Sequence, residues 1–148
     1  MVVFWAAVSW AEPPAYVPEP AAASAYAAAA AAGAATLANP KAADAASIAK
    51  GAAIYSAQCV ICHGPTGHGD GLAATMIDPK PADFTDAVRW NATSIGTKQW
   101  IVMNGVAGTG MIPRGLETDH AWEVLAFMEA TFQPAAITPP TITPPPGG

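Results

Sequence analysis

Apolar residues recur at helical spacing in the middle of the chain, from about residue 44 onward. Asp44 is a residue type that caps helix N-termini. The positions that follow at intervals of three and four are Ile48, Gly51, Ala52, Tyr55, Cys59 and Cys62. Because residues at this spacing share one face of a helix, the pattern predicts a first helix whose apolar face also carries both cysteines.

Two further segments have the same periodicity. One runs from about 97 to 104 and meets a C-terminal stop signal at Asn104-Gly105. The other runs from about 119 to 132, with Asp119 predicted as its cap and Pro134 as its end. No segment alternates apolar and polar residues as a half-buried strand does, and residues 64–93 indicate mostly loop with one helical turn near 83–90. The pattern therefore predicts an all-α domain.

The ends of the chain lack this patterning. Residues 1–11 are apolar and uncharged, but a helix needs about 20 residues to cross a bilayer, and a signal peptide needs a basic start. We interpret them as an interfacial or partner-buried anchor, or as the remnant of a longer export or anchor segment. Residues 12–43 are rich in Pro and Ala and predict a linker, and residues 134–148 predict an extended Pro-rich tail. One domain remains, at 44–133.

Composition narrows the class of partner. The chain has 148 residues, and its 52% hydrophobic fraction is inflated by Ala, which buries little surface. With 6 Lys and Arg against 11 Asp and Glu, the net charge is −5. Nucleic acid is disfavoured because binding to phosphates requires clustered cations. An acidic surface instead favours solubility and contact with a basic protein surface.

The motif CVICH, residues 59–63, contains the only two cysteines. A redox dithiol would require a βαβ context, and a zinc site would require a second ligand pair, and the sequence has neither. Two buried cysteines that are close by chance would leave His63 unexplained. The remaining interpretation is a c-type haem attachment site, in which Cys59 and Cys62 form thioethers and His63 binds the iron.

The surrounding sequence resembles the monohaem class I cytochrome c family over about 47–132. Four ordered stretches carry the resemblance, namely KGAAIYSAQCVICHGPTGHGDG, KPADFTD, NGVAGTGMIPRG and AWEVLAFMEA. The resemblance implies three main helices around one covalently bound haem c. It also implies that Gly51 and Tyr55 on the first helix cross Val124 and Phe127 on the last.

The resemblance further implies that Met111, in the loop GTGMIPRG, is the second axial ligand. A thioether favours ferrous iron, so a His/Met pair raises the reduction potential. Met103 and Met128 occupy apolar helix positions and are expected in the core. Met76 lies in a loop close to the haem motif and is a second candidate for the ligand.

Other residues have supporting or no expected roles. In the family, a proline carbonyl after the haem motif accepts the ring N–H of the ligating histidine; Pro79 and Pro81 are the candidates, and Pro81 is preferred. Trp90 and Trp100 are expected to pack in the core, with an indole hydrogen bond to a haem carboxylate as the alternative. The two remaining histidines, His68 and His120, are expected to be exposed.

These features predict an electron-transfer protein rather than an enzyme. If both axial positions are filled, iron has no vacant site for substrate. We expect a location on the periplasmic side of a bacterial membrane, since the resemblance implies haem attachment there. Association with the membrane would be indirect or through residues 1–11. The alternatives are a free periplasmic shuttle and, less favoured, a haem enzyme or gas sensor with an open sixth site.

The tails suggest an assembly. Ordering a residue costs about 1 to 2 kcal/mol, so tails of this length need extensive contacts that the small haem domain is not expected to supply. We therefore expect redox partners that are subunits of a membrane-associated respiratory or photosynthetic complex. One such complex is the bacterial alternative complex III, a quinol-oxidising assembly, and the chain would then correspond to its monohaem subunit.

Overall fold

The computed structural model describes residues 15–42 and 44–133, and these residues form helices and loops without a strand. Two predicted segments lie outside them, namely the apolar residues 1–11 and the Pro-rich tail 134–148. The tail includes Pro134, which was predicted to end the last helix. The helices are α1 (Pro20–Ala31), α2 (Ala45–Gln58), α3 (Val60–His63), α4 (Ala87–Asn91), α5 (Ile95–Asn104) and α6 (Thr118–Phe132). Short 3₁₀ helices lie at Ala34–Thr36 and Ala74–Met76. The all-α prediction is confirmed.

The contact between α2 and α6 is the main one of the fold. A Cβ atom on Gly51 would lie 2.0 Å from the carbonyl oxygen of Glu123 and 2.9 Å from the Cβ of Phe127. One turn further along α2, the ring centroid of Tyr55 lies 5.4 Å from that of Phe127. The predicted crossing of the first and last helices is therefore present, and it requires glycine at position 51.

The hydrophobic core lies beside this crossing. Its buried members are Tyr55, Trp90, Trp122, Val124, Leu125, Met128 and Phe132. Val124 and Leu125 on α6 are completely buried. Since α6 contributes five of these seven side chains, it is the central helix of the domain.

Side-chain capping bonds mark the starts of α2, α4 and α5. Asp44 accepts a hydrogen bond from the Ser47 amide, as the sequence predicted, and Ser94 accepts one from the Thr97 amide at the start of α5. Helix α5 begins two residues earlier than predicted and ends at Asn104, followed by Gly105 at φ 71°. Asp86 caps α4, which is the short helical turn expected in the loop region.

The predicted cap of α6 is wrong. Glu117 occupies the N-cap position and makes no side-chain capping bond, while Asp119 lies inside the first turn. The Asp119 carboxylate lies 3.4 Å from the ammonium of Lys41. A carboxylate in the first turn also interacts favourably with the helix dipole, so acidic residues are typical of both the cap and the first turn. The sequence pattern therefore placed the cap two residues too late, at Asp119.

Helix α1 corrects the expectation of a linker in the described part of 12–43. Pro20 begins the helix, a position where its missing N–H costs nothing, and Gly33 follows the end at φ 74°. Ala25 and Ala29 are buried, and α1 contacts α5. The linker prediction rested on the lack of large apolar residues in this segment, but Ala has the highest helix propensity and packs where backbones come close.

The 3₁₀ helix that follows α1 also contacts α5. A Cβ atom on Gly96 would lie 1.9 Å from the carbonyl oxygen of Ala34. The Asn39 side chain then donates to the Trp122 carbonyl oxygen at 3.0 Å, which ties this segment to α6. The domain therefore holds residues 20–39 itself, contrary to the expectation that only neighbouring subunits would order them.

Among the described residues, no helix combines the length and the apolar character needed to span a membrane.

Candidate functional site

The CVICH motif lies where the first long helix changes direction. Helix α2 ends at Gln58, Cys59 is the residue between two helices, and α3 covers Val60–His63. The Cys62 and His63 amides both donate to the Cys59 carbonyl oxygen, at 3.2 and 2.9 Å. Gly64 then ends α3 at φ 76°. The motif is thus one compact helical turn that holds its two thiols and its imidazole close together.

The glycine-rich loop after the motif closes back onto it. The carbonyl oxygens of Ile61, Cys62 and His63 accept hydrogen bonds from the amides of Ala73, Gly71 and Gly69. These are the carbonyls that a helix end leaves without intrahelical partners. A Cβ on Gly71 would lie 2.3 Å from the Ile61 oxygen, so this approach requires glycine. The loop fixes the turn that carries Cys62 and His63.

His63 is buried and oriented by the backbone. Its Nδ1 lies 3.2 Å from the carbonyl oxygen of Ala82. A carbonyl only accepts, so Nδ1 carries the proton and donates, and Nε2 keeps a lone pair when the ring is neutral. The prediction that Pro81 supplies this acceptor is wrong by one residue. The Pro81 carbonyl oxygen instead faces Gly69, 2.4 Å from the position that a Cβ would take there.

The surroundings of His63 favour its neutral form. Burial lowers the pKa of the imidazole, the hydrogen bond to Ala82 opposes this, and the cations of Arg89 and Arg114 lower the pKa further. The ring of Phe84 stacks on the imidazole with centroids 4.3 Å apart. A neutral, fixed imidazole with a free lone pair is the form of histidine that binds metals.

Neither cysteine forms a disulfide. Burial raises the pKa of the Cys59 thiol to about 11. The charge of Arg114 lowers this pKa, and Cys62 raises it further. A thiol with this pKa is a poor metal ligand and a poor redox nucleophile at neutral pH. Within the described residues, no three His, Cys, Asp or Glu side chains are grouped as a metal site.

The residues predicted from the sequence converge on one cavity of about 590 Å³. Cys59, Cys62, His63, Pro81 and Met111 all line it. The volume lies within the usual range of about 300 to 1,000 Å³ for ligand and cofactor sites. Two thiols, an imidazole and a thioether therefore line one cavity, although they come from two separate parts of the chain, residues 59–63 and Met111.

The loop that carries Met111 has its own hydrogen bonds. The Val106 amide donates to the Met111 carbonyl oxygen at 2.7 Å, and the Met111 amide donates to the Thr109 hydroxyl at 3.1 Å. A Cβ on Gly105 would lie 2.5 Å from the same carbonyl oxygen. Glycine at position 105 thus allows the loop to turn back directly after α5, which places Met111 at the cavity.

The other methionines are distributed differently. Met76 is 82% exposed and does not line the cavity. Met128 belongs to the core, as predicted, and also reaches the cavity wall. Met103 is only half-buried and accepts a hydrogen bond from the Gln99 side chain, so its placement in the core was wrong. Among these three, only Met128 shares the cavity with Met111.

The two histidines outside the motif are exposed, as predicted. His68 lies 3.1 Å from the Thr85 hydroxyl and 3.5 Å from the Asp83 carboxylate, and so it links the glycine-rich loop to the segment before α4. Trp90 is buried and lines the cavity, which agrees with a packing role. Trp100 is half-buried and does not line the cavity.

Sequence reasoning missed the polar groups of the cavity. Four of the six cations of the chain line it, namely Lys80, Arg89, Lys98 and Arg114. Glu19, which directly precedes α1, and Tyr26 on α1 also line the wall. The spacing of residues within the haem motif gives no information on these side chains, because they come from distant loops and from a segment interpreted as a linker.

Lys98 shows how such a cation is held. Its ammonium donates to the carbonyl oxygens of Trp90 and Thr93, and it lies 4.6 Å from the centroid of the Trp90 ring. Burial lowers the pKa of Lys98 to about 8. The carboxylate of Glu129 acts in the opposite direction, because its negative charge stabilises the charged ammonium. Lys98 thereby links α5 to the end of α4.

The cavity fits a haem c on the chemistry of its lining. It presents two thiols, a neutral imidazole with a free lone pair and a thioether, which are the groups that c-type haem attachment and His/Met ligation use. The Nε atom of Arg114 is buried at this cavity without a hydrogen-bond partner. An unpartnered buried donor of this kind suits the acidic groups that haem carries.

The comparisons with known proteins agree with this chemistry. The chain is similar to a solved structure of the reducing HAO-like protein complex of Kuenenia stuttgartiensis, with 26% identity and a TM-score of 0.52. That similarity covers 60% of this chain but 45% of the other one, so this chain spans less than half of that chain's length. No curated protein matches the sequence.

A family model described as cytochrome c oxidase, cbb3-type, subunit III matches residues 46–128. The matched range starts in α2 and ends in α6, and it contains all the residues predicted to bind the haem. The likeness to a class I c-type cytochrome is therefore confirmed, and the domain is an electron carrier that binds haem c covalently. The chain belongs to the family of c-type cytochrome domains that this model describes.

Proposed function

We propose that this protein transfers electrons through a single haem c, attached by Cys59 and Cys62 and ligated by His63 and Met111. The observation that carries the proposal is that these four side chains line one cavity. When bound, the haem supplies a one-electron Fe(III)/Fe(II) couple. The chain contributes the attachment, the axial ligands and the surroundings of the group.

His63 and Met111 have distinct parts in this proposal. The hydrogen bond from Nδ1 of His63 to Ala82 fixes the tautomer and leaves Nε2 as the donor to iron. Met111 provides a soft, neutral sulfur that favours the ferrous state. Phe84, Trp90 and Met128 line the same cavity and exclude water, which also favours the form with the lower charge.

Replacing Met111 tests the ligand assignment. Met111→Ala should leave the haem attached, lower the reduction potential and open the sixth site to added imidazole or cyanide. The exposed Met76 gives a matched control, because Met76→Ala removes the same side chain outside the cavity. Optical spectra and redox titration of the two variants provide the measurement. If Met111→Ala keeps the parent spectrum and potential, as Met76→Ala should, Met111 is not the ligand.

We further propose that the domain works as a subunit of a membrane-associated electron-transfer complex on the periplasmic side of a bacterial membrane. Two similarities support this. The family model is described as a subunit of an oxidase, and the solved structure is described as a protein complex. The net charge of −5 would favour contact with a basic surface of a redox partner.

The assembly is tested by gentle solubilisation of membranes from the source cells, followed by size-exclusion chromatography with haem detection. A complex subunit should elute with other redox proteins at a mass well above that of the single chain. Haem c from this chain that elutes only as a monomer, without copurifying proteins, would instead identify a free periplasmic shuttle. Covalent haem and the axial ligands would be unaffected by that second result.

A further inference from the structure

The two groups that orient His63 come from nearly adjacent residues of one short segment. The carbonyl oxygen of Ala82 lies 3.2 Å from Nδ1 of His63. The ring of Phe84 stacks on the imidazole with centroids 4.3 Å apart. Asp83 lies between these two residues and is itself half-buried. The backbone angles of Asp83 therefore determine how the acceptor and the ring are placed relative to each other.

Asp83 joins two peptide groups that both have a partner. The peptide group before it carries the Ala82 carbonyl oxygen, which faces His63. The peptide group after it carries the Phe84 amide, which donates to the Gly67 carbonyl oxygen at 2.7 Å. Because each peptide group is planar, only φ and ψ of Asp83 set the angle between the two. A change in these angles would turn the Ala82 carbonyl away from His63 or break the bond to Gly67.

The side chain of Asp83 holds these angles by bonding to the chain two residues further on. One carboxylate oxygen accepts the Thr85 amide at 2.8 Å and the Thr85 hydroxyl at 2.6 Å. This is the turn that aspartate side chains form in irregular segments. The other carboxylate oxygen lies 3.5 Å from Nδ1 of His68 in the glycine-rich loop. The carboxylate thus connects its own segment to the loop that follows the CVICH motif.

The ionised form of Asp83 is the one that these contacts favour. Burial raises the pKa of the Asp83 carboxyl, but the hydrogen bonds from Thr85 and the contact with His68 outweigh burial and lower the pKa below its ordinary value. An ionised carboxylate accepts hydrogen bonds and donates none, so it can accept both Thr85 groups at once. The turn is therefore formed at neutral pH.

We propose that Asp83 is a positioning residue for the iron ligand. Its side chain fixes the backbone that aims the Ala82 carbonyl oxygen at Nδ1 of His63, and it thereby helps to set the reduction potential. This inference rests on the proposed function, in which Nε2 of His63 binds iron. A hydrogen bond from Nδ1 makes the imidazole a stronger electron donor. Because a stronger donor stabilises ferric iron more than ferrous iron, a well-placed Ala82 carbonyl lowers the potential.

Hydrogen exchange of the Nδ1–H of His63 tests this positioning directly. In the ferrous holoprotein, which is diamagnetic with His/Met ligation, NMR follows this proton. Asp83→Ala removes the turn and should speed exchange with solvent about tenfold, because the Ala82 carbonyl no longer stays in place. Asp83→Asn keeps a side-chain oxygen for the Thr85 amide and should leave the exchange rate close to that of the parent protein.

Redox titration separates the effect of the turn from that of the charge. Asp83→Ala and Asp83→Asn both remove one negative charge, so the difference between them is due to the turn. Losing a hydrogen-bond partner of a metal-bound histidine typically changes affinity or activity about 10- to 100-fold. Loosening the bond to Ala82 should shift the Fe(III)/Fe(II) equilibrium towards ferrous about threefold relative to Asp83→Asn, which raises the potential by about 28 mV. Asp86→Ala is the matched control, since Asp86 also bonds to backbone amides but caps α4, and it should not speed the exchange of the His63 proton.

The outcomes separate this inference from the proposed function. If Asp83→Ala matches Asp83→Asn in exchange rate or in potential, or speeds exchange no more than Asp86→Ala, the positioning role of Asp83 is wrong while haem ligation stands. If the parent protein shows no mass increase from covalent haem, the proposed function itself fails, and this inference fails with it. Should Asp83→Ala not mature with haem, Thr85→Val carries the test, because it removes one of the two hydrogen bonds to the carboxylate oxygen. Exchange of the His63 proton should then be faster than in the parent, and an equal rate would overturn the inference.

Discussion

At two contacts in this protein, a glycine allows two backbone segments to approach each other closely. Where α2 meets α6, a Cβ on Gly51 would lie 2.0 Å from the Glu123 carbonyl oxygen. Where α5 meets the segment after α1, a Cβ on Gly96 would lie 1.9 Å from the Ala34 carbonyl oxygen. In both places, the missing side chain lets one backbone approach another.

The difference lies in what surrounds each glycine. Gly51 is flanked by aromatic contacts, since the ring of Tyr55 lies 5.4 Å from Phe127 and 5.1 Å from Phe132. Gly96 faces a segment whose buried residues are alanines. The first contact therefore buries much apolar area, whereas the second buries little and depends on close backbones. We expect α2 and α6 to unfold with the whole domain and α1 to detach separately.

The largest expected effect comes from filling the first contact. Gly51→Leu should lower the free energy of unfolding by about 3 kcal/mol or more, because a carbonyl oxygen cannot move aside as a side chain can. The melting temperature should fall by about 10 °C or more. Ala53→Leu on the same helix is the control, since Ala53 is exposed. Equal melting temperatures for the two variants would show that Gly51 is not at a tight helix crossing.

Filling the second contact should have a smaller and more local effect. Gly96→Ala should lower the free energy of unfolding by about 2 kcal/mol, because the added methyl group overpacks against Ala34. The main structural result should be that residues 20–39 are displaced from α5. Limited proteolysis of the holoprotein should then cut this segment while the rest stays intact, and haem absorbance should persist. Gly51→Ala provides the comparison, because it should destabilise all parts together. Identical cleavage patterns for the two variants would contradict the expectation that the Gly51 contact stabilises the whole domain and the Gly96 contact only residues 20–39.

The same contrast explains which parts of the fold could be predicted. Large residues at spacings of three and four identified α2, α5 and α6, and a resemblance to a family placed Gly51 opposite α6. Nothing comparable marked α1, because an Ala-rich stretch with prolines before it is typical of both a linker and a helix. The decision between them depends on Gly96, which is far away in sequence. Tertiary contacts, rather than local pattern, settle such cases.

For the site, the sequence predicted the residues that belong to motifs but not the groups around them. Cys59, Cys62, His63 and Met111 belong to short motifs, so the sequence predicted them as haem-binding residues, and all four line the cavity. The acceptor for His63 was misplaced from Ala82 to Pro81, since a one-residue shift of a carbonyl in an irregular loop depends on backbone angles that the sequence does not specify. The cations of the cavity were missed because no motif connects them to the cysteines. Residue identity predicted the reactive groups, but not the loops and charges around them.

A smaller effect is expected from overpacking α1 itself. Ala29 is completely buried, so Ala29→Leu should loosen α1 and cost about 1 kcal/mol. Ala28, its neighbour, is exposed and gives the control variant Ala28→Leu. Amide hydrogen exchange of residues 20–31 is the measurement, and it should accelerate for Ala29→Leu only. Unchanged exchange in both variants would mean that α1 does not pack through Ala29.

The smallest effect concerns the pH dependence of the α1 contact. Burial raises the pKa of Tyr26 on α1 to about 12, the neighbouring Tyr16 adds to this, and Arg89 opposes it. The unfolded chain loses the phenolic proton near pH 10, so between pH 10 and 12 the folded state holds more protons and its stability falls as the pH rises. Denaturant unfolding at pH 9 and 11 should therefore show wild type losing stability relative to Tyr26→Phe. Tyr55 and Lys98 titrate in both proteins and cancel in the difference. A difference that stays constant between the two pH values would mean that the Tyr26 hydroxyl is not buried against the domain, and that α1 is held by its alanines alone.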